Sequence, residues 1–293
     1  MLEKIKLDFS SYITEENIGY ILYVIKTDDY IITAYNNKKG STYSVTIQGN
    51  DPLSIAKNYI ANPSLLPKKN KKDKESPFFI DVKSQIGSDE VGTGDFLGPV
   101  VVCAAYCDEQ TLSSFEEYGI TDSKKLTDEK VMRIVPPLLN KVHYEVKILD
   151  IIRYNSAKDK GFNLNQMKAV LHNFVLLNLH RKFPAIDNVY VDQFCAPEKY
   201  YEYLQGVPHV QKNIIFREKG ETYFPSVALA SCIARYYFLE EINKINELYN
   251  VKIPLGAGEK VDRFSQAFIH KFGIEEFDKI AKKSFANYKR LVS

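Results

Sequence analysis

Cysteine is scarce: Cys103, Cys107, Cys195 and Cys232 are the only four in 293 residues. They form no CxxC pair and have no histidine at finger spacing, which excludes a structural zinc site and a disulfide framework and fits a reduced, cytoplasmic setting. Long apolar runs are missing too. No stretch approaches the ~18 apolar residues that span a bilayer, and the opening MLEKIKLDFSSYI has no continuous apolar segment, so neither membrane insertion nor export is expected. Nor does one charge dominate: 39 Lys and Arg stand against 37 Asp and Glu, a net +2. Any nucleic-acid partner must therefore be argued from local patches. With 14 Gly and 12 Pro, collagen-like and low-complexity classes are excluded. GxSxG and HExxH are absent, which argues against serine-hydrolase and zincin chemistry. There is no internal repeat and no heptad run, and a monomer is expected.

What is present is an ordinary globular composition, 45% hydrophobic and 26% charged, in a length that suits two domains at roughly 100–200 residues each. The sharpest break is LLPKKNKKDKESPFF, where Pro67 and Pro77 bracket Lys68, Lys69, Lys71, Lys72 and Lys74. A run with nothing apolar to pack reads as a solvated linker over residues 67–83, able to add phosphate contacts. Ahead of it, residues 1–66 carry β-branched and aromatic segments at 20–26, 30–35 and 42–48, separated by the turn signals TDD and NNKKG. They predict an antiparallel meander, with Lys38 and Lys39 in a hairpin tip. Asp51 then caps a helix over residues 51–60, with Pro52 in its first turn and Leu53, Ala56, Lys57 and Ile60 on one face. The first domain is thus small and α+β.

Beyond the linker, residues 84–293 alternate strands with longer helices, which predicts an α/β domain whose mixed sheet is flanked by helices. PVVVCAAY, residues 99–106, is a continuous apolar run short enough and β-branched enough for a buried strand. Residues 143–149 and 188–194 read as further strands. Between them Met167, Leu171, Phe174 and Leu177 make one apolar helical stripe facing the sheet. Residues 226–249 form a long helix that opens with Ser226, Ala228, Ala230, Ser231 and Ala234, small enough for close packing.

Four places could carry chemistry. Asp89 and Glu90, in IGSDEVGTGDFLGP, are adjacent acids ending a buried strand; like charges there repel and are costly to desolvate, and a divalent cation offsets both. Gly92 and Gly94 flank Thr93 and would let a ligand approach the backbone, although GTGD is neither a Rossmann fingerprint nor a P-loop. Asp192 ends the strand NVYVD, where functional groups gather in helix-flanked sheets. Glu218 and Glu221 precede the small-residue helix, where either could serve its dipole. Taken jointly, Asp89, Glu90, Asp192 and one of these glutamates make an all-oxygen set suited to Mg²⁺ or Mn²⁺. Ser123, Lys124 and Lys125, in TDSKKLTDEK, stand at a predicted loop-to-helix junction that could seat a phosphate. The five histidines are scattered without ligand spacing and are assigned no catalysis.

The ordered series IGSDEVGTGDFLGPVVVCAAY, TDSKKLTD, NLNQMKAVLHN, VDQF, KGE before VALASCIAR, and LGAGEKVD resembles bacterial ribonuclease HIII. The resemblance runs from about residue 84 to the C-terminus. It implies a ribonuclease H-like catalytic domain preceded by a TATA-binding-protein-like substrate-binding domain. It also implies endonucleolytic hydrolysis of the RNA strand of RNA/DNA hybrids, leaving 3′-hydroxyl and 5′-phosphate ends, with Mg²⁺ or Mn²⁺ as cofactor and two ions per site during turnover. The family's four acids fall on Asp89, Glu90, Asp192 and Glu221, with Glu218 the neighbouring alternative. Gly92, Thr93 and Gly94 resemble its clamp on ribose 2′-hydroxyls, and Ser123, Lys124 and Lys125 its phosphate-gripping segment. GTG and the extra N-terminal domain favour this family over the related ribonuclease HII, which cuts at single embedded ribonucleotides. A hybrid-binding protein without turnover and a metal-dependent phosphatase are the rivals from other classes.

Overall fold

The structure, a computed structural model, describes residues 1–18, 21–36, 43–49, 51–60, 63, 79–118, 120 and 126–292. The chain divides into two compact units, Met1–Lys74 and Glu75–Ser293. Lys38, Lys39 and the lysines of the run at residues 68–74 lie outside the described residues.

In the first unit α1 (Leu2–Asp8) and a short 3-10 turn lead into strands β1 (Ile13–Ile18), β2 (Ile21–Lys26), β3 (Tyr30–Asn36) and β4 (Tyr43–Gly49), followed by α2 (Pro52–Lys57). The strands lie in chain order and every pairing is antiparallel. The register sets Ile32 opposite Ile47 and Ala34 opposite Val45, so one face is apolar and packs around buried Ile5 of α1 with Tyr23 and Ile25. The meander agrees with the sequence reading. Both α1 and β1 escaped it, because LEKIKLD buries Ile5 alone and ITEENI carries acids where an alternating strand signal needs apolar residues. Asp51 caps α2 by accepting from the Ser54 N–H. That helix stops at Lys57, however, and Tyr59 rather than the exposed Ile60 reaches the core.

The second unit is built on β5 (Gln85–Val91), β6 (Val100–Cys107), β7 (Tyr144–Leu149), β8 (Val189–Asp192) and β9 (Ile214–Arg217), in the order β7-β6-β5-β8-β9. β5 is central, antiparallel to β6 and parallel to β8; β6 and β7 are antiparallel and β8 and β9 parallel. Its helices are α3 (Glu109–Tyr118), α4 (Asp128–Leu139), α5 (Ile151–Asp159), α6 (Leu164–Lys182), α7 (Pro197–Tyr203), α8 (Gly220–Tyr223), α9 (Pro225–Tyr249), α10 (Glu259–Phe272), α11 (Ile274–Phe277) and α12 (Ala286–Val292). This is the expected mixed sheet flanked by helices.

Coverage of both faces explains the unbroken run in β6. Val100, Val102 and Ala104 pack with Met167, Leu171, Val175 and Leu179 of α6, while Val101, Cys103 and Ala105 join Ala228, Cys232 and Phe238 of α9. Each large side chain buried this way contributes roughly 1.5–3 kcal/mol. The α6 stripe needs correcting: Phe174 is 44% exposed, and Val175 and Leu179 take the inward places. The small residues opening α9 have the predicted consequence, since a Cβ on Gly87 would stand 2.4 Å from Ser226 Oγ and 2.6 Å from the Val227 nitrogen. The helix start and the central strand touch backbone to backbone, and buried Gln85 adds to the join by accepting from Ser226 Oγ at 2.7 Å.

Candidate active site

Alternation along β5 sends its two acids to opposite faces of the sheet. Asp89 points with Gly87 towards α9, where the Ser231 hydroxyl donates to it. Glu90 points with Ser88 towards α6. The parallel register pairs Ser88 with Val191, which brings Asp192, one residue on, alongside Asp89. Asp192 accepts the Gly220 N–H on Oδ1 at 2.8 Å. Gly220 opens α8, and an ideal Cβ there would lie 3.3 Å from the Asp192 Cα. Glu221 follows it directly and is buried, whereas Glu218 is exposed. The left-handed turn at Lys219, φ 58°, swings the chain from β9 back over the end of β8. Asp89, Asp192 and the start of α8 thus lie at the ends of β5 and β8, with Glu90 on the α6 side of the sheet.

Burial, with the charges of Glu90 and Asp192, pushes the Asp89 carboxyl well above the usual carboxylate range, against the Ser231 and Glu90 N–H bonds that favour its ionised form. Glu90 behaves oppositely. Its burial would also push it up, but bonds and charge from His172 and Lys168 outweigh that and hold it below the usual range. Lys168 Nζ lies 2.6 Å from Glu90 Oε1 and His172 Nε2 2.8 Å from Oε2. His172 Nδ1 is 2.8 Å from Ser88 Oγ. Sequence reasoning missed this group. The signal was there in KAVLH, where four residues set a lysine and a histidine on one helical face, but nothing in the sequence said that the face meets Glu90.

The glycine loop after β5 is held from below. Gly92 has φ +93°, and a Cβ on it would meet the Pro99 carbonyl at 2.3 Å and the Phe238 ring at 2.9 Å, so the fold itself requires glycine. At Gly94 a Cβ would meet nothing within 4 Å. Asp95 Oδ1 accepts the Gly256 N–H at 2.6 Å, Phe96 exchanges backbone bonds with Gly256 and Lys282, and the buried Lys282 ammonium donates to the Asp95 and Gly98 carbonyls at 2.7 and 2.5 Å. The C-terminal segment therefore fixes the loop that bears Thr93.

Ser123, Lys124 and Lys125 lie outside the described residues. The helix expected after them begins at Asp128, and its cap is Thr127, which accepts the Lys130 N–H. Arg235 of α9 ties that helix start down through Asp128 Oδ1 and the Leu126 carbonyl.

The family model described as ribonuclease HII matches residues 86–288. The chain belongs to the ribonuclease HII family. Within it the chain sits with the ribonucleases HIII: it is 37% identical to ribonuclease HIII of Phytoplasma mali over 288 residues, covering 98% of this chain and 93% of that protein. Ribonuclease HIII of Bacillus anthracis is 35% identical over 295 residues, again 98% of this chain and 93% of the relative. A crystal structure of Bst-RNase HIII in complex with Mn²⁺ superposes with a TM-score of 0.69 at 31% identity, covering 99% of this chain and 96% of that one. The protein is accordingly a ribonuclease H, a hydrolytic nuclease. No described helix is long and apolar enough to cross a membrane.

Proposed function

We propose that this ribonuclease cuts the RNA strand of RNA/DNA hybrids endonucleolytically, at a divalent-cation site formed by Asp89, Glu90, Asp192 and Glu221. The observation that carries the reading is Asp89: a carboxyl buried among like charges and pushed far up by them is a position that a cation would relieve. The donors fit the ion, being carboxylate oxygens suited to hard Mg²⁺ or Mn²⁺, and Mn²⁺ is present in the Bst-RNase HIII crystal structure. As the side chains stand, no three acidic, histidine or cysteine groups among the described residues converge at ligation distance, and Glu90 is engaged by Lys168 and His172. When bound, divalent ions, two per site in this reading, lower the pKa of water and offset charge on the scissile phosphate. Asp89 and Asp192, side by side on one face, are the candidates to share an ion. Glu90, next to Asp89 on β5, and Glu221, on α8, would complete the shell or orient the attacking water. The products are 3′-hydroxyl and 5′-phosphate ends. Burial favours Glu221 over exposed Glu218 as the fourth acid.

The Gly92–Thr93–Gly94 backbone is the element suited to reading 2′-hydroxyls, the group that separates RNA from DNA. Support comes from Gly94, where open space and an ordinary φ leave the fold no need for glycine. Gly94→Ala is expected to leave thermal stability within about 0.5 kcal/mol while raising KM for a uniform hybrid about tenfold. A KM equal to wild type in steady-state cleavage would remove the loop from substrate recognition.

The reading extends to domain roles: residues 1–66 as a TATA-binding-protein-like substrate-binding domain, 67–83 as a Lys-rich linker and 84–293 as the catalytic domain, with Ser123, Lys124 and Lys125 on backbone phosphate. The enzyme is further read as a cytoplasmic monomer. Contacts from the first domain fall on phosphate and sugar and are salt-dependent. Deleting residues 1–66 is expected to raise KM more than it lowers kcat, by about tenfold at moderate salt; unchanged hybrid affinity in a titration would withdraw that role. The overall reading is tested by Mg²⁺- and Mn²⁺-dependent cleavage of a uniform hybrid beside a DNA duplex with one ribonucleotide. Cutting the hybrid and sparing the single ribonucleotide is expected; efficient cutting at the lone ribonucleotide would instead mark ribonuclease HII-like activity.

A further inference from the structure

On the α6 side of the sheet lies a second cluster that the four-acid account does not use. Both oxygens of Glu90 are taken by α6, one by Lys168 at 2.6 Å and one by His172 at 2.8 Å. All three side chains are nearly closed to solvent, at 12%, 8% and 0% exposure for Glu90, Lys168 and His172. The histidine is itself held. A carboxylate only accepts, so Nε2 must carry the proton shared with Glu90, while Nδ1 lies 2.8 Å from the Ser88 hydroxyl. Phe194, two residues past Asp192, closes the cluster from β8: the His172 ring stacks on it at 5.2 Å and the Lys168 ammonium sits 4.0 Å above its centre. Ser88, beside Asp89 on β5, and Phe194, just past the end of β8, thus both brace the α6 groups that hold Glu90.

We infer that Lys168 and His172 are positioning residues for the nuclease reaction, fixing the Glu90 carboxylate from behind so that it enters the cation site in one orientation. This rests on the assignment of Glu90 to that site under the proposed function. The geometry allows it, because each carboxylate oxygen has two lone pairs and spends one on α6. Lys168 also supplies, from within the protein, a positive charge against one of the clustered acids, so the cluster can be assembled on folding. Groups that hold metal ligands in this way typically change affinity or activity 10–100-fold when removed. Phe194 extends the effect to β8, since the ring that orients His172 and Lys168 moves with the strand end that carries Asp192.

The test uses the full-length chain and His172→Phe, which keeps the ring against Phe194 and loses the donor. Lys168→Met carries the same kinetic test should His172→Phe not fold. On a uniform hybrid, kcat is expected to fall about 10–100-fold with KM within about threefold of wild type, and His172→Gln, which keeps an N–H donor, is expected to recover most of it. Calorimetric titration with Mn²⁺ alone should show affinity about tenfold weaker for His172→Phe. In a Glu90→Gln background the same change should make no further difference to Mn²⁺ affinity, because the effect passes through Glu90. A kcat within twofold of wild type, an unchanged Mn²⁺ affinity, or an equal loss in the Glu90→Gln background would each overturn the inference. Failure of the wild type to cut hybrid would overturn the proposed function instead, so the two are told apart.

Discussion

Asp89→Asn is expected to lower cleavage of a uniform RNA/DNA hybrid by at least about a thousandfold, while hybrid affinity stays the same or improves. Asp89 is the acid that feels both Glu90 and Asp192, so under the proposed function it is the one whose charge a cation would most relieve. Its amide keeps the shape and the Ser231 contact but gives up the charge. Divalent ions contribute several kcal/mol to stabilising charge in phosphodiester hydrolysis, and ~4 kcal/mol is about three powers of ten in rate. Substrate binding moves the other way, because removing a negative charge reduces repulsion of the phosphate backbone. In EDTA the variant is also expected to melt higher than wild type, since a carboxyl buried beside two other acids and pushed well above its usual range is a cost to folding that the amide lacks. Binding lost in step with cleavage would place Asp89 in hybrid recognition. Unchanged turnover would sink the four-acid assignment.

The parts legible in the sequence are those set by local pattern and by chain order. β6 showed itself as an apolar run because helices cover both its faces, and the first turns of α9 advertised their close approach to Gly87 by their small residues. Asp89, Glu90 and Asp192 were conspicuous as acids ending apolar strands. What the pattern hid was tertiary. Phe174 fits an apolar helical stripe yet faces outwards, with Lys147 5.0 Å over its ring. Adjacent Asp89 and Glu90 look like one acidic turn, but period-two alternation sends them to opposite faces, one to Ser231 and one to Lys168 and His172. His172 reads as a lone core histidine until a strand eighty-odd residues earlier is laid beside it. Glu218 and Glu221 were alternatives in the sequence, and what it did not show is that one is exposed and the other buried on either side of the left-handed turn at Lys219.

Lys282→Met is expected to destabilise the second unit by about 2–4 kcal/mol, more at pH 9 than at pH 6. The wild-type side chain is fully buried, donates to two loop carbonyls and lies within 6 Å of the Tyr154 and Phe285 ring centres. Methionine fills the space but leaves the Asp95 and Gly98 carbonyls without that donor, at roughly 1–3 kcal/mol each. Burial pulls the Lys282 ammonium down to about 7 against the opposing pull of Asp95. Between about pH 7 and 10.5 the unfolded chain keeps a proton that the folded chain has released, so this group's contribution to stability rises with pH across that window and is lost as pH falls through 7. Methionine has no such slope, and the gap between the two proteins must widen with pH. The loop that Lys282 anchors carries Gly92, Thr93 and Gly94 directly ahead of Asp95, so KM for hybrid should rise by about tenfold even well below the melting temperature. Denaturant titrations at pH 6 and 9, with steady-state kinetics at each, check both. A stability difference that does not vary with pH would mean that Lys282 stays charged throughout, and an unchanged KM would mean that the backbone bonds of Phe96 to Gly256 and residue 282, with the Asp95 bond to Gly256, suffice to hold the loop.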